Sequence, residues 1–196
     1  MTESLQLLLT ELEHFGAAND SAIAERPRRM LNITPETGEL LSVLVRAMSA
    51  RRVLEIGTSN GYSTLWLAHA VSATGGTVTT VELSDYKVEL ARKNFSRSGL
   101  ADWITLIHDD TARVFERADA ESHDLIFLDA ERTEYPRWWP HLKRIIRPGG
   151  LLVVDNAIAP RPEEMAPFVA IVNADADFTT SLVPVGKGEF LAVKSR

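Results

Sequence analysis

Short apolar runs rich in β-branched residues recur along most of this chain, each followed by a stretch of helical character, and that alternation narrows the possible folds more than any other feature. The runs are RVLEI (52–56), TVTTVE (77–82), ITLIH (104–108), DLIFLD (124–129) and GLLVVD (150–155). Helices are predicted between them near 61–72, 84–97, 110–118 and 136–146. Near-continuous apolar strands are covered on both faces, and strands alternating with helices pair in parallel through right-handed crossovers. The predicted fold is therefore α/β, a doubly wound parallel sheet. The end of the chain departs from this rhythm. After a helix near 162–174, FTTSLVPVG and GEFLAVKS flank a Gly-Lys-Gly turn at 186–188, the pattern of an antiparallel hairpin. Five parallel strands and this C-terminal antiparallel hairpin give a seven-stranded, mostly parallel sheet.

Ahead of the alternation, residues 3–15 set Leu5, Leu8, Leu9 and Leu12 at helical spacing, and Thr34-Pro35 starts a second helix as N-cap and first-turn proline. One domain is expected over 1–196, with N-terminal helices in 1–50 and the sheet in 51–196. The chain has 45% hydrophobic and 24% charged residues, the balance of an ordinary globular protein. Its net charge of −6 gives no electrostatic footprint for nucleic acid or anionic lipid. Without cysteine there are no disulfides, thiolate metal sites or cysteine nucleophiles. The acidic, amphipathic start is no signal peptide, and no run approaches the ~18 apolar residues of a membrane span. A cytoplasmic protein with neither nucleic-acid nor membrane partners is expected.

In open parallel sheets, ligands bind beyond the carboxyl ends of the strands. The first strand ends in VLEIGTSNGYST, where Gly57 and Gly61 allow a tight turn and a close backbone approach to a ligand. Ser59 stands where a dinucleotide fingerprint has its second glycine, and Glu55 precedes the loop. A carboxylate there repels phosphate and welcomes a cation. Glu82 ends the second strand at the spacing of an acid that grips ribose hydroxyls. Such an acid, with Glu55 and no phosphate cradle, suits S-adenosylmethionine better than NAD. The plainer alternative is that the glycines only shape a turn and Glu82 only faces solvent. Asp110-Thr111, after the third strand, either N-caps the next helix, hydrogen-bonds the adenine, or does both.

Two later strands end in acids: Asp129 closes IFLD, and Asp155-Asn156 close LLVVDN. Neighbouring strands lie about 5 Å apart, so these oxygens can converge on one ion. Two carboxylates and an amide are hard donors that favour Mg²⁺, Ca²⁺ or Mn²⁺ over zinc. Taken singly, Asp129 reads equally well as a helix cap and Asn156 as a turn residue. Trp138 and Trp139 read as core residues, and His108 and His123 as structural.

VLEIGTSNGYSTLWLA, TVEL, HDLIFLDAERTEY, IIRPGGLLVVDNA and GEFLAV, in this order from about Leu31 to the C-terminus, resemble the class I S-adenosylmethionine-dependent, cation-dependent O-methyltransferases of the catechol and caffeoyl-CoA type. The resemblance implies the Rossmann-like seven-stranded methyltransferase sheet, often in homodimers. It assigns Asp129, Asp155 and Asn156 to the metal. It assigns Ile33, Gly57, Ser59, Ser63, Glu82, Leu83, Asp110 and Thr111 to the cofactor, with Asp129 facing metal and cofactor together. The implied partner is a small hydroxylated acceptor, whose neighbouring hydroxyls chelate the ion. The chain departs from the pattern at Arg132, which replaces the lysine proposed as general base in bacterial relatives. Arginine does not release its proton in a protein but can stabilise an oxyanion or hold an acidic group, so Arg132 joins Asp129 as a candidate catalytic residue. Asp109 replaces a glycine near the adenine, and AIAPRPEEMAPF after Asn156 is shorter than usual. Alternatives are a metal-independent methyltransferase of the same fold, a non-catalytic binding protein, and a tRNA hydroxyuridine methyltransferase.

Overall fold

A computed structural model describes residues 1–195. The seven strands are β1 (Arg52–Ile56), β2 (Thr77–Glu82), β3 (Ile104–His108), β4 (His123–Leu128), β5 (Ile146–Val154), β6 (Phe178–Val183) and β7 (Glu189–Lys194). They form one sheet in the order β3-β2-β1-β4-β5-β7-β6. β1 to β5 pair in parallel, and β7 runs antiparallel between β5 and β6. The predicted α/β sheet with its C-terminal antiparallel hairpin is the one observed.

The helices are α1 (Glu3–Ala22), α2 (Pro35–Ala47), α3 (Tyr62–Ser72), α4 (Asp85–Ser98), α5 (Thr111–Arg117), α6 (Tyr135–Ile145) and α7 (Pro162–Asn173). Alternate strand residues feed two cores. Val53, Leu125, Phe127 and Val153 pack under α1 to α4, while Leu54, Ile126, Leu128 and Val154 pack under α5 to α7. Both faces are thus buried, as the unbroken apolar runs require. Trp138 and Trp139 are buried in the second core, with Trp139 edge-on to Phe178 at 4.7 Å. Among the described residues no helix is long and apolar enough to cross a membrane.

Two boundaries differ from the sequence expectation by several residues. α1 runs on to Ala22, because Gly16 lets Asn32 pack against the helix where the apolar periodicity has faded. β5 starts at Ile146, before Pro148-Gly149-Gly150, because Ile146 pairs with His123 and a register shift precedes Leu125. Thr34 accepts from the backbone N–H of Thr37 and caps α2, with Pro35 in its first turn.

Candidate functional site

The strand order reverses between β1 and β4, and the helices that follow these strands lie on opposite faces, which opens a crevice at their carboxyl ends. The chain leaves β1 through Gly57 (φ 103°) and Ser59 (φ 49°), both left-handed. Ser59 donates its backbone N–H to Glu82 Oε2 at 2.9 Å and its hydroxyl to the Met30 carbonyl at 2.8 Å. Glu82 Oε1 accepts from the N–H groups of Leu83 and Ser84, each at 3.0 Å. Three backbone donors therefore fix this carboxylate at the end of β2. Ile33, Gly57, Ser59, Ser63 and Asp129 line one narrow cleft beside it. Leu83 is exposed at the outer rim. Asp110 caps α5 by accepting from Ala112 N–H at 2.9 Å, so its capping role is seen directly; Thr111 is the first residue of that helix. Asp109, in place of glycine, pairs with Arg113 and Arg117 along α5.

The glycines also serve the packing of the protein. A Cβ on Gly57 would sit 2.0 Å from the Asp129 carbonyl, and one on Gly61 (φ 88°) would sit 2.5 Å from the Phe95 ring. Their bare backbone makes room for the end of β4 and for α4. Glu55 is likewise spent inside the fold. It is fully buried and accepts hydroxyl hydrogen bonds from Ser63 (2.6 Å), Thr80 (2.6 Å) and Thr64. Burial raises its pKa to about 7 against the pull of these three donors, with the nearby Glu82 charge adding to the rise. Glu55 thus anchors the cofactor-side loop from beneath.

Parallel pairing of β4 and β5 sets Leu128 beside Val154, so the residues that follow, Asp129 and Asp155, lie side by side. Asp155 donates its N–H to the Leu128 carbonyl at 3.1 Å. Asn156, in the left-handed region (φ 64°), turns its amide across both acids. Its Nδ2 donates to Asp129 Oδ1 at 3.3 Å and to Asp155 Oδ2. Burial raises the pKa of Asp129 well above the carboxylate range, and the Asp155 charge adds to it. Burial raises Asp155 too, although Asn156 N–H and Glu189 oppose the rise.

Glu189 is the residue the sequence reading missed. Antiparallel pairing of Val154 with Phe190 sets Glu189 opposite Asp155. It is fully buried; Oε1 accepts from the Thr37 hydroxyl at 2.9 Å, and Oε2 has no donor among the described residues. Burial and the Asp155 charge push its pKa up to about 10, so it carries the proton that lets two carboxyl groups meet. The signal was an acid opening an otherwise apolar strand, but only the hairpin register says what it faces.

A divalent cation fits this donor set: two buried carboxylates, the Asp155 charge adding to the raised pKa of Asp129, plus an amide whose rotation exchanges nitrogen for oxygen. Among the described residues no three acid or histidine side chains converge as a metal cluster, so the set is two carboxylates and one amide.

Arg132 lies elsewhere in the site's architecture. Its buried guanidinium donates to the Pro160 carbonyl at 2.6 Å and pairs with Glu164 at 3.7 Å. It clasps the segment between β5 and α7, and its charge reaches Asp129 only from a distance. His108 and His123 stand at strand ends, and burial lowers the pKa of His123 to about 4. A larger hollow of about 520 Å³ opens at the other edge of the sheet, between Arg51, Gly75 and Asp124. Its arginines are already used: Arg51 donates to the Gly75 carbonyl and Arg52 pairs with Asp124.

The profile of the O-methyltransferase family matches residues 8–195. The catechol O-methyltransferase of Mycobacterium tuberculosis is 36% identical over 142 residues, covering 72% of this chain and 62% of that one. Among solved structures, the O-methyltransferase from Bacillus cereus in complex with S-adenosylhomocysteine superposes with a TM-score of 0.80 at 28% identity, covering 96% of this chain and 90% of that one. TomG from Streptomyces achromogenes, an O-methyltransferase of tomaymycin synthesis in complex with S-adenosylmethionine, gives 0.79 at 25% identity, covering 100% and 91%. These share the Rossmann-like class I methyltransferase sheet. With a profile that spans nearly its whole length and neighbours built on the same seven strands, the chain belongs to the O-methyltransferase family.

Proposed function

We propose that this enzyme transfers a methyl group from S-adenosylmethionine to one hydroxyl of a small, catechol-like acceptor, assisted by a divalent cation at Asp129, Asp155 and Asn156. The observation that carries this reading is the meeting of those three side chains beside the cleft that Gly57, Ser59 and Glu82 shape. S-adenosylmethionine, when bound, supplies an electrophilic methyl carbon that passes to the acceptor oxygen, while the electron pair of its carbon–sulfur bond stays on sulfur. The cation, when bound, supplies a Lewis acid that favours the ionised hydroxyl. Glu82 holds the ribose hydroxyls, with Ile33, Ser59, Leu83, Asp110 and Thr111 around the rest of the cofactor. Protonated Glu189 holds Asp155 in place from behind, bridging it to Thr37 of α2.

Arg132, which cannot act as the base, is what motivates a metal-independent alternative, and its guanidinium is engaged by Pro160 and Glu164. The catalytic role considered for it becomes a positioning one, through the 160–164 segment. Assembly as a homodimer belongs to the same proposal, with Leu182 exposed on the edge strand β6 and Val193 on the neighbouring β7, and light scattering reads it directly.

Calorimetric titration of S-adenosylmethionine, with Mg²⁺ and after EDTA, tests the function. Cofactor binding, a saturable Mg²⁺ site, and methylation of catechol that EDTA abolishes are expected. Asp155→Ala should retain cofactor binding, lose the Mg²⁺ heat, and slow methylation at least 100-fold. Unchanged Mg²⁺ affinity and turnover in that variant overturn the metal assignment.

A further inference from the structure

The turn between β6 and β7 reaches the same edge of the sheet as the acid pair. Continuing the β5–β7 pairing past Val154 and Phe190 brings Ala157 opposite Lys187. Backbone bonds hold the two segments together: Ala157 N–H donates to the Gly188 carbonyl at 2.8 Å, and Ile158 and Ala159 N–H both donate to the Lys187 carbonyl, at 3.0 and 2.9 Å. The turn has no slack on either side. A Cβ on Gly186 would meet the Thr37 hydroxyl at 2.3 Å, and one on Gly188 would meet Ile158 at 2.4 Å. Lys187 is therefore presented from a fixed backbone.

Its charge reaches Asp129 and Asp155, opposing the larger effect of burial on both. Other titratable groups that act on the acid pair include Glu189 on β7 and Arg132 on the β4–α6 connection. Arg132 is spent on Pro160 and Glu164, whereas Lys187 has no carboxylate within 4 Å among the described residues. Its hydrogen bond is a long one, 3.4 Å to the Asn32 carbonyl. Asn32 borders the cofactor cleft next to Ile33, so this ammonium stands between cleft and acid pair. A half-buried cation on a rigid turn, weakly engaged and beside the place where an acceptor oxygen must reach the methyl carbon, is arranged to hold an anion.

We propose that Lys187 is the cationic contact of the acceptor, pairing with the ionised oxygen that accepts the methyl group. This rests on the proposed acceptor class, two neighbouring hydroxyls. The hydroxyl proton leaves to solvent, and Lys187 keeps its own throughout. The β6–β7 turn thereby supplies the charge that Arg132, turned into its loop, does not.

The test uses 4-nitrocatechol, whose absorption spectrum separates the neutral and ionised forms, bound to the full chain with S-adenosylhomocysteine and Mg²⁺. An opposite charge within about 4–6 Å moves a pKa by roughly 1–3 units. Lys187→Met should raise the ionisation midpoint of bound nitrocatechol by about 1 unit and lower kcat about tenfold. Lys187→Arg should restore most of both, and S-adenosylhomocysteine affinity should stay within twofold. An unchanged midpoint in Lys187→Met overturns the proposal. If that variant does not fold, Lys187→Gln and Lys187→Arg are compared, and equal midpoints overturn it. Nitrocatechol that fails to bind the unmodified protein at all refutes the acceptor class, an outcome distinct from a role for Lys187.

Discussion

Gly57→Ala places a methyl group where β1, β4 and the cofactor-side loop meet. Two costs add. Alanine at φ 103° is strained whatever the surroundings, by about 1–3 kcal/mol. Its Cβ also lands 2.0 Å from the Asp129 carbonyl oxygen, more than 1 Å short of the 3.4 Å at which ordinary contact begins. That carbonyl cannot yield freely, because Asp129 N–H is bonded to the Ile56 carbonyl at 3.0 Å. Forced repacking costs about 1–3 kcal/mol more. The total is about 2–6 kcal/mol, and for a chain of this size about 2–4 °C is lost per kcal/mol, so Tm should fall by roughly 4–24 °C. Asp129 must move with the strain, so S-adenosylmethionine affinity should drop at least tenfold. Gly99→Ala is the control: Gly99 is also left-handed (φ 72°), but nothing lies within 4 Å of its added Cβ. It should show the dihedral cost alone, about 1 kcal/mol. Thermal melts by circular dichroism with calorimetric cofactor titration decide the matter. If the two variants lose equal stability and both keep cofactor affinity, the steric argument at Gly57 is wrong.

Three further outcomes are expected. Glu55 has a folded-state pKa near 7 against an ordinary 4.5, so the folded protein retains a proton that the unfolded chain loses. Its contribution is fully present below pH 4.5 and declines by about 3 kcal/mol as pH rises to 7. Glu55→Gln titrates in neither state, so urea unfolding at pH 4 and pH 8 should show the variant gaining on the unmodified protein by about that amount; parallel pH profiles refute it. Glu82→Gln replaces one of the two accepting oxygens by an NH2 that cannot accept, leaving at least one of the three backbone N–H groups without its partner, and should weaken S-adenosylmethionine binding 10- to 100-fold with little change in acceptor KM. A binding loss under threefold counts against the ribose assignment. Arg132→Met leaves Glu164 with Arg161 alone and frees the Pro160 carbonyl, which should cost about 1–3 kcal/mol and raise acceptor KM. Hydrogen exchange should then show faster opening of residues 158–164, and unchanged exchange there excludes the clasp.

The glycine loop shows where sequence reasoning stopped. Its position after the first strand is local information, carried by the change from a β-branched run to Gly57, Ser59 and Gly61. What fills the space beside each glycine, Asp129 in one case and Phe95 in the other, depends on chain 34 to 72 residues further on. The same holds for Glu55, which reads as a ligand-facing acid in isolation. The fold places three hydroxyls around it, from Ser63, Thr64 and Thr80.

By itself the sequence determined the order and type of the elements, the parallel sheet with its final hairpin, and the acids that close β4 and β5. Hydrophobic period, β-branching and turn residues act within a few positions of one another, so they are legible without the fold. Only the tertiary structure decided which of those polar residues share a site. Glu189 and Lys187 lie more than 30 residues beyond Asp155, and the antiparallel register of β5 and β7 sets Glu189 opposite it and carries Lys187 to the same edge of the sheet. Arg132 lies three residues from Asp129, yet it bonds to Pro160 and Glu164. Strand register and the packing of a loop are set by long-range burial and hydrogen bonding, and these leave no mark on the residues beside them in sequence.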